Sequence, residues 1–355
     1  MRVAVVAGRG PWPIRGGEAV RLDAWLRVLS RRHEVTLAVP GGTACPLPAL
    51  SVVALPPLSR RLWAILRHPF LPTTVALAWD RDVAAAVQRV VAAHDRTLFY
   101  QLRTTAWLPS PRAGVAVDLT DALSLYYRRR ARREPWWAFE AWRTARWEQG
   151  VVARWPAFVV SDHDRKALAG STAPKLVVAR NGVFGPPPGY RREPKRRRWV
   201  TVGNWTYWPN RSGLRRFLAQ VWPEVLRVHR DAELWVAGSG AIPAALPAGV
   251  RWLGPMEDLA PLYAGAWAAV APVEFGAGTK TKVLEALAYG VGVVTTPVGA
   301  EGLPVEAGIL VVRERSEWIR ALAEEWAAES ARCQSVLASW HWEKTLAPAV
   351  EVIEG

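Results

Sequence analysis

Residues 274–303 read EFGAGTKTKVLEALAYGVGVVTTPVGAEGL. A glycine-rich loop, Gly276 and Gly278, carries Thr279, Lys280 and Lys282 into an apolar helical run that contains one acid, Glu285. Gly290 stops that run, and an apolar strand over 291–295 follows. Glycines let backbone N–H groups approach an anion closely, and a helix start adds its own positive end. The lysines supply full positive charge for a phosphate. A carboxylate one or two turns on can accept hydrogen bonds from ribose hydroxyls. Loop, basic pair, helix and acid together make a pocket for a nucleoside diphosphate.

The same loop–helix–strand logic extends outward in both directions. Upstream, short apolar runs alternate with helical stretches, the signature of a parallel sheet with helices on its faces. Strands are predicted over 2–7, 34–39, 51–54, 97–101, 114–117, 157–160 and 175–179, and helices over 18–30 and 80–93. The segment 185–198 holds four prolines, two glycines and a basic cluster, which predicts an exposed connection. The pattern then restarts. Strands are predicted over 199–202, 233–237, 250–253, 267–271, 291–295 and 308–312, with helices over 211–228, 281–288 and 316–328. A helical tail over 335–354 is predicted to break at Pro348. The chain thus reads as a first α/β domain over 1–182, a linker over 183–198 and a second α/β domain over 199–334.

Three further motifs stand in order with the first. They are Pro11-Trp12-Pro13 with Gly16-Gly17-Glu18, Asn181-Gly182-Val183, and Val202-Gly203-Asn204 followed by Pro209-Asn210. With G-x-G-x-K-x-K-x-x-E-A at 276–286, they resemble the retaining glycosyltransferases of family 4, the glycosyl transferases group 1. The resemblance covers nearly the whole chain. It implies a GT-B fold, two Rossmann-like domains facing across a cleft, with a C-terminal helix over 335–355 that packs back on the first. It implies sugar transfer from a nucleotide-diphosphate donor to an acceptor hydroxyl with retention, in cell-surface polysaccharide or glycolipid synthesis. The leaving phosphate would take the acceptor's proton on the same face. The implied donor-binding residues are Gly16, Gly17, Gly203, Asn204, Gly254, Met256, Gly276, Gly278, Thr279, Lys280, Lys282 and Glu285. No cofactor beyond the donor substrate is implied. Much of the family carries a second glutamate eight positions before the helix acid, touching the donor sugar; here that position is Ala277.

Each candidate has a plainer alternative. Lys280 and Lys282 could be surface lysines, Gly16 and Gly17 a flexible loop, and Gly254-Pro255-Met256 an ordinary turn after a strand. Asp118 and Asp121 follow the predicted strand 114–117, where polar residues line the ligand crevice of a parallel sheet. They and Lys280 are the catalytic candidates, although Asp121 could equally cap a helix. Two D-x-D triplets, Asp80-Arg81-Asp82 and Asp162-His163-Asp164, each open a predicted helix, where acids complement the dipole. No metal site is expected from them, so cations and N–H groups would neutralise the leaving diphosphate. Two rival functions share the pattern: a nucleotide-sugar 2-epimerase, and a non-catalytic sugar-nucleotide-binding component of a polysaccharide assembly.

The chain has 355 residues and two cysteines, Cys45 and Cys333, too few for a disulfide framework. Its opening MRVAVVAG is too short an apolar run for a signal peptide, and nothing approaches a membrane span. A cytoplasmic protein is expected, peripheral on the inner face of the cell membrane. The net charge is +15. Residues 1–180 hold 27 of the 46 basic and 13 of the 31 acidic side chains, an excess of 14. The densest stretch lies over 126–155, where five of residues 128–133 are arginine and tryptophan recurs. That mixture predicts an anionic membrane surface as partner, rather than nucleic acid, beside a lipid-linked or polysaccharide acceptor. A G+C-rich coding sequence could produce the same arginine and tryptophan bias.

Overall fold

The computed structural model describes residues 1–14, 16–58, 61–168, 175–240, 245–275 and 279–355. By internal contacts it divides into two units. The first holds Met1–Pro13, Glu18–Arg180 and Thr345–Gly355; the second holds Ile14–Gly17 and Asn181–Lys344.

The first unit carries seven strands: β1 (Arg2–Ala7), β2 (Glu34–Pro40), β3 (Leu50–Leu55), β4 (Arg96–Tyr100), β5 (Val115–Thr120), β6 (Ala157–Val159) and β7 (Leu176–Val178). Every pairing is parallel, in the order β3-β2-β1-β4-β5-β6-β7. Its helices are α1 (Gly17–Ser30), α2 (Arg61–Arg67), α3 (Thr73–Ala76), α4 (Arg81–Ala93), α5 (Leu123–Ala131), α6 (Trp137–Val152) and α7 (Asp162–Leu168). The chain order 3-2-1-4-5 is that of a doubly wound sheet. The strands read as continuous apolar runs because both faces are covered: Val3 to Ala7 are all fully buried. One core layer packs Ala4, Val6, Phe99 and Val117 against Val83, Val87 and Val91 of α4.

The second unit repeats the architecture without repeating the sequence. Its six strands are β8 (Arg198–Val202), β9 (Glu233–Ala237), β10 (Val250–Gly254), β11 (Ala268–Ala271), β12 (Val293–Thr295) and β13 (Ile309–Val311). They pair in parallel in the order β10-β9-β8-β11-β12-β13. The helices are α8 (Trp208–Gln220), α9 (Trp222–Val228), α10 (Ala260–Ala264), α11 (Thr281–Ala288), α12 (Arg315–Ala323), α13 (Ser330–Gln334) and α14 (Leu337–Trp340); the last helix, α15 (Trp342–Glu354), belongs to the first unit from Thr345 onward. Two clusters cover the sheet. One packs α10 and α11 through Leu262, Val283 and Leu287; the other packs α8, α9 and α12 through Phe217, Trp222 and Trp318.

Three sequence expectations are corrected, and that of an exposed segment over 185–198 is extended. The single helix over 211–228 is two, broken at Val221, because Pro223 has no N–H and can sit only in a first turn. The segment 185–198 is largely exposed but is fastened to its own unit. Arg192 donates to the carbonyls of Gly290 and Ala266, and the Tyr190 hydroxyl donates to the Tyr289 carbonyl at 3.0 Å. The tail helix runs through Pro348 and breaks instead at His341, which is extended and bridges Val183. Strand β5 continues to Thr120, so Asp118 lies inside it rather than beyond it.

Candidate functional site

In the second unit, the carboxyl ends of β8, β9 and β10 converge. Gly203 donates to the Ala237 carbonyl at 3.1 Å, and Gly238 donates to the Gly254 carbonyl at 2.7 Å. In parallel sheets such strand ends form the ligand crevice. The strands approach so closely there that a Cβ on Gly238 would stand 1.8 Å from the Gly203 oxygen, and its φ of +124° also excludes other residues. Gly238→Ala is therefore expected to lower the melting temperature and to remove nucleotide binding together. A variant that melts like the wild type in a thermal scan would contradict that close approach.

The end of β8 turns through Asn204 and Trp205 into α8. The Asn204 Oδ1 accepts from the Thr206 N–H at 3.0 Å and its hydroxyl at 2.6 Å, an Asx turn that fixes the corner. The Asn210 amide donates to the Asn204 carbonyl at 3.0 Å. On its other side the Asn210 Oδ1 accepts from Lys282 Nζ at 2.9 Å. That ammonium also lies 5.9 Å from the centre of the Trp205 ring, within cation–π reach. The motif at 202–210 and the lysine pair, some seventy residues apart, are thus one hydrogen-bonded assembly.

Lys280 is the residue that caps the start of α11, with extended backbone, and Lys282 lies in its first turn. Both side chains are half-buried. Burial, with the Lys280 charge acting in the same direction, pushes the Lys282 ammonium down to about 7. Thr279 just before the helix is buried, and its hydroxyl and carbonyl accept from the Asn181 amide at 2.8 and 3.3 Å. Asn181, from the Asn-Gly-Val motif, therefore braces the lysine loop. One turn into α11, Glu285 accepts from the Tyr263 hydroxyl at 3.4 Å. Burial pushes its carboxyl up to about 7 against that hydrogen bond. Helix α11 takes this placement because Val283, Leu284, Ala286, Leu287 and Ala288 bury its other face.

The remaining expected residues fall as follows. Gly16, with φ of +108°, and Gly17 belong to the segment that groups with the second unit. Gly254 ends β10 with φ of +74°, and Met256 packs on the α10–α11 core. Gly276, Ala277 and Gly278 lie outside the described residues. Glu274, just before them, pairs with Arg216 at 3.0 Å. Gly238, Asn210, Asn181 and Tyr263 share the site although they were not among the expected donor residues. A glycine after a predicted strand was the signal for the first.

Asp118 is in the first unit and has a structural setting. Its side chain is wholly buried, accepts from Arg21 Nε at 2.8 Å and Trp25 Nε1 at 2.5 Å, and turns its other oxygen to the Thr120 N–H. Arg21 is itself 1% exposed, so the two charges form an interior ion pair joining α1 to β5. Asp121 is half-buried at the end of β5 and accepts from the Thr120 hydroxyl at 3.1 Å. Both strand ends here are strained: Gln101 and Thr120 have φ of +72° and +66°. The Gln101 amide donates to Glu18 at 2.8 Å, and Arg9 and Arg103 pair with the same acid. The D-x-D triplets end as helix-start carboxylates. Asp80 caps α4, Asp164 accepts from the Ala122 N–H at 3.1 Å, and Asp162 pairs with Arg165 and Arg180. Among the described residues, no group of three or more His, Cys, Asp or Glu side chains is arranged to hold a metal ion.

Two parallel doubly wound units, the second with a basic helix start at its strand ends, define the GT-B class. Residues 196–327, within the second unit, match the family described as glycosyl transferases group 1. No curated protein matches the chain in sequence. The fold is shared with WaaG, a glycosyltransferase of lipopolysaccharide biosynthesis, at a TM-score of 0.71 and 15% identity, over 99% of this chain and 100% of that one. HepE of Anabaena, solved with UDP-glucose, matches at a TM-score of 0.68 and 13% identity, over 100% and 99%. Sucrose-phosphate synthase of Thermosynechococcus elongatus matches at 0.68 and 13%, over 100% and 98%.

Proposed function

We propose that the protein transfers a sugar from a nucleotide-diphosphate donor to an acceptor hydroxyl with retention of configuration, and that the second unit holds the donor. The observation that carries this reading is the assembly at the start of α11. A half-buried lysine pair, braced by Asn181 and Asn210, stands one turn from a half-buried acid. In this reading Lys280 and Lys282 hold the diphosphate, and Glu285 accepts from the ribose hydroxyls. The lysines stabilise charge that builds on the diphosphate as the glycosidic bond breaks. The leaving phosphate oxygen then takes the acceptor's proton on the same face. A role in polysaccharide or glycolipid synthesis fits the part WaaG plays in lipopolysaccharide biosynthesis, and UDP-glucose in HepE supports a nucleotide-sugar donor.

The opposed titrations give a test. Lys282 is charged below about 7 and Glu285 is charged above about 7. The pair is jointly ionised only near neutrality. Donor affinity should therefore peak near pH 7 and fall on both sides, because the diester phosphates of a nucleotide sugar do not titrate there. Lys282→Gln should remove the alkaline fall and Glu285→Gln the acid fall. Calorimetry across pH 5.5–9 measures this; profiles unchanged in both variants would contradict the assigned roles.

A further inference from the structure

The surface of α6 in the first unit breaks the usual rule for a soluble helix. Its buried side carries Glu140, Ala141, Thr144, Glu148, Val151 and Val152. Its outer stripe is aromatic: Trp136, Phe139 and Trp142 are 72%, 49% and 47% exposed. They recur every three residues, so they lie along one face. Phe70, 70% exposed, joins them from the turn after α2, and Leu66 at the end of α2 is 73% exposed. Phe70 meets Phe139 edge-on at 6.5 Å, and Phe139 stacks on Trp142 at 5.7 Å.

These side chains are held outward by a buried polar lattice. Arg143 donates to the Pro69 carbonyl at 2.7 Å and pairs with Glu140. Glu140 in turn accepts from the Thr73 N–H at 2.8 Å and its hydroxyl at 2.9 Å. The turn carrying Phe70 is thereby locked to α6, and the aromatic stripe cannot fold inward. Contiguous apolar surface of this kind marks an interaction site.

The exposed charges of α2, α5, α6 and the turns beside them have one sign. Arg67, Arg128, Arg132, Arg133 and Arg146 are exposed, and Arg146 lies 5.3 Å over the Trp142 ring. The acids of α5, α6 and the turn between them are spent elsewhere: Glu134 pairs with Arg130, Glu140 with Arg143, and Glu148 is buried against the Ser124 N–H. Two arginines of 128–133 are engaged otherwise: Arg130 stacks on Trp137 at 4.0 Å and pairs with Glu134, and Arg129 meets the His163 ring nitrogen at 3.0 Å. Aromatic rings beneath a purely basic rim match a lipid bilayer at headgroup depth, with anionic headgroups outside and acyl chains within.

We infer that the Phe70, Trp136, Phe139 and Trp142 face of the first unit inserts into the interface of an anionic membrane, with Arg67 and Arg146 on its headgroups. The inference is independent of the transfer reaction, since none of these residues belongs to the donor site. It differs from adsorption by charge alone in one respect: part of the binding should survive salt, because inserted rings are not screened.

Vesicle flotation tests it. Wild-type protein should float with phosphatidylcholine–phosphatidylglycerol vesicles, weaken at high salt without detaching completely, and bind poorly to phosphatidylcholine alone. The variant Phe70→Ser/Trp136→Ser/Phe139→Ser/Trp142→Ser should partition at least tenfold less while melting like the wild type. Should that variant fail to fold, brominated lipid supplies the readout on wild type, where quenching of tryptophan fluorescence supports insertion and its absence refutes it. No flotation with anionic vesicles at low salt, equal flotation of the folded variant, or a wild-type dimer that the variant abolishes would overturn the inference. The last result would assign the face to a second copy.

Discussion

Lys280→Ala is expected to lower turnover about a hundredfold or more while weakening donor binding much less. Lys280 stands at the start of α11, and in the proposed reading its charge and the helix N–H groups meet the diphosphate there. Negative charge builds on that group only as the bond to the sugar breaks, so the cation counts most in the transition state. Removal of one such preorganised donor costs on the order of 10²–10³ in rate. Steady-state kinetics separates the possibilities. A fall in kcat with little change in KM fits the assignment; a rise in KM with kcat intact would make Lys280 a binding residue only.

Asp118→Ala is expected to cost about 3–5 kcal/mol of stability, because it strands the buried Arg21 guanidinium without its ion-pair partner. For a unit of this size that corresponds to roughly 6–20 °C in melting temperature. The compensating double variant Arg21→Met/Asp118→Leu should recover most of the loss, since replacing both charges by apolar groups is often neutral. Differential scanning calorimetry provides the measurement. If Asp118→Ala melts like the wild type yet is inactive, the aspartate acts on substrate and its structural assignment fails.

Legibility in the sequence followed the physics of each signal. The candidate site at α11 could be proposed from sequence because its parts lie within a dozen residues: glycines, two lysines and an acid at helical spacing need no tertiary information. The bracing of that site was only partly readable. Asn181 and Asn210 meet the lysine loop across 98 and 72 residues of chain respectively, and nothing local shows such a pairing. Asp118 was misplaced because the apolar run looked complete at Val117. A charged residue can continue a central strand only when a distant partner such as Arg21 neutralises it, and that partner is invisible in sequence. Helix α6 shows the converse limit. Its three-residue spacing of Trp136, Phe139 and Trp142 announces a face, but an inward and an outward face have the same spacing. Only the Arg143–Glu140–Thr73 lattice settles the direction.

Titration calorimetry of UDP, GDP, ADP and dTDP into wild-type protein and Glu285→Ala tests the donor site most directly. One of the four should bind the wild type, and Glu285→Ala should bind it about 1.5–3 kcal/mol more weakly with an unchanged melting temperature, as expected for a lost hydrogen bond to a charged group. Failure of all four to bind the wild type, or equal affinity in the two proteins, would contradict a nucleoside diphosphate held at the start of α11.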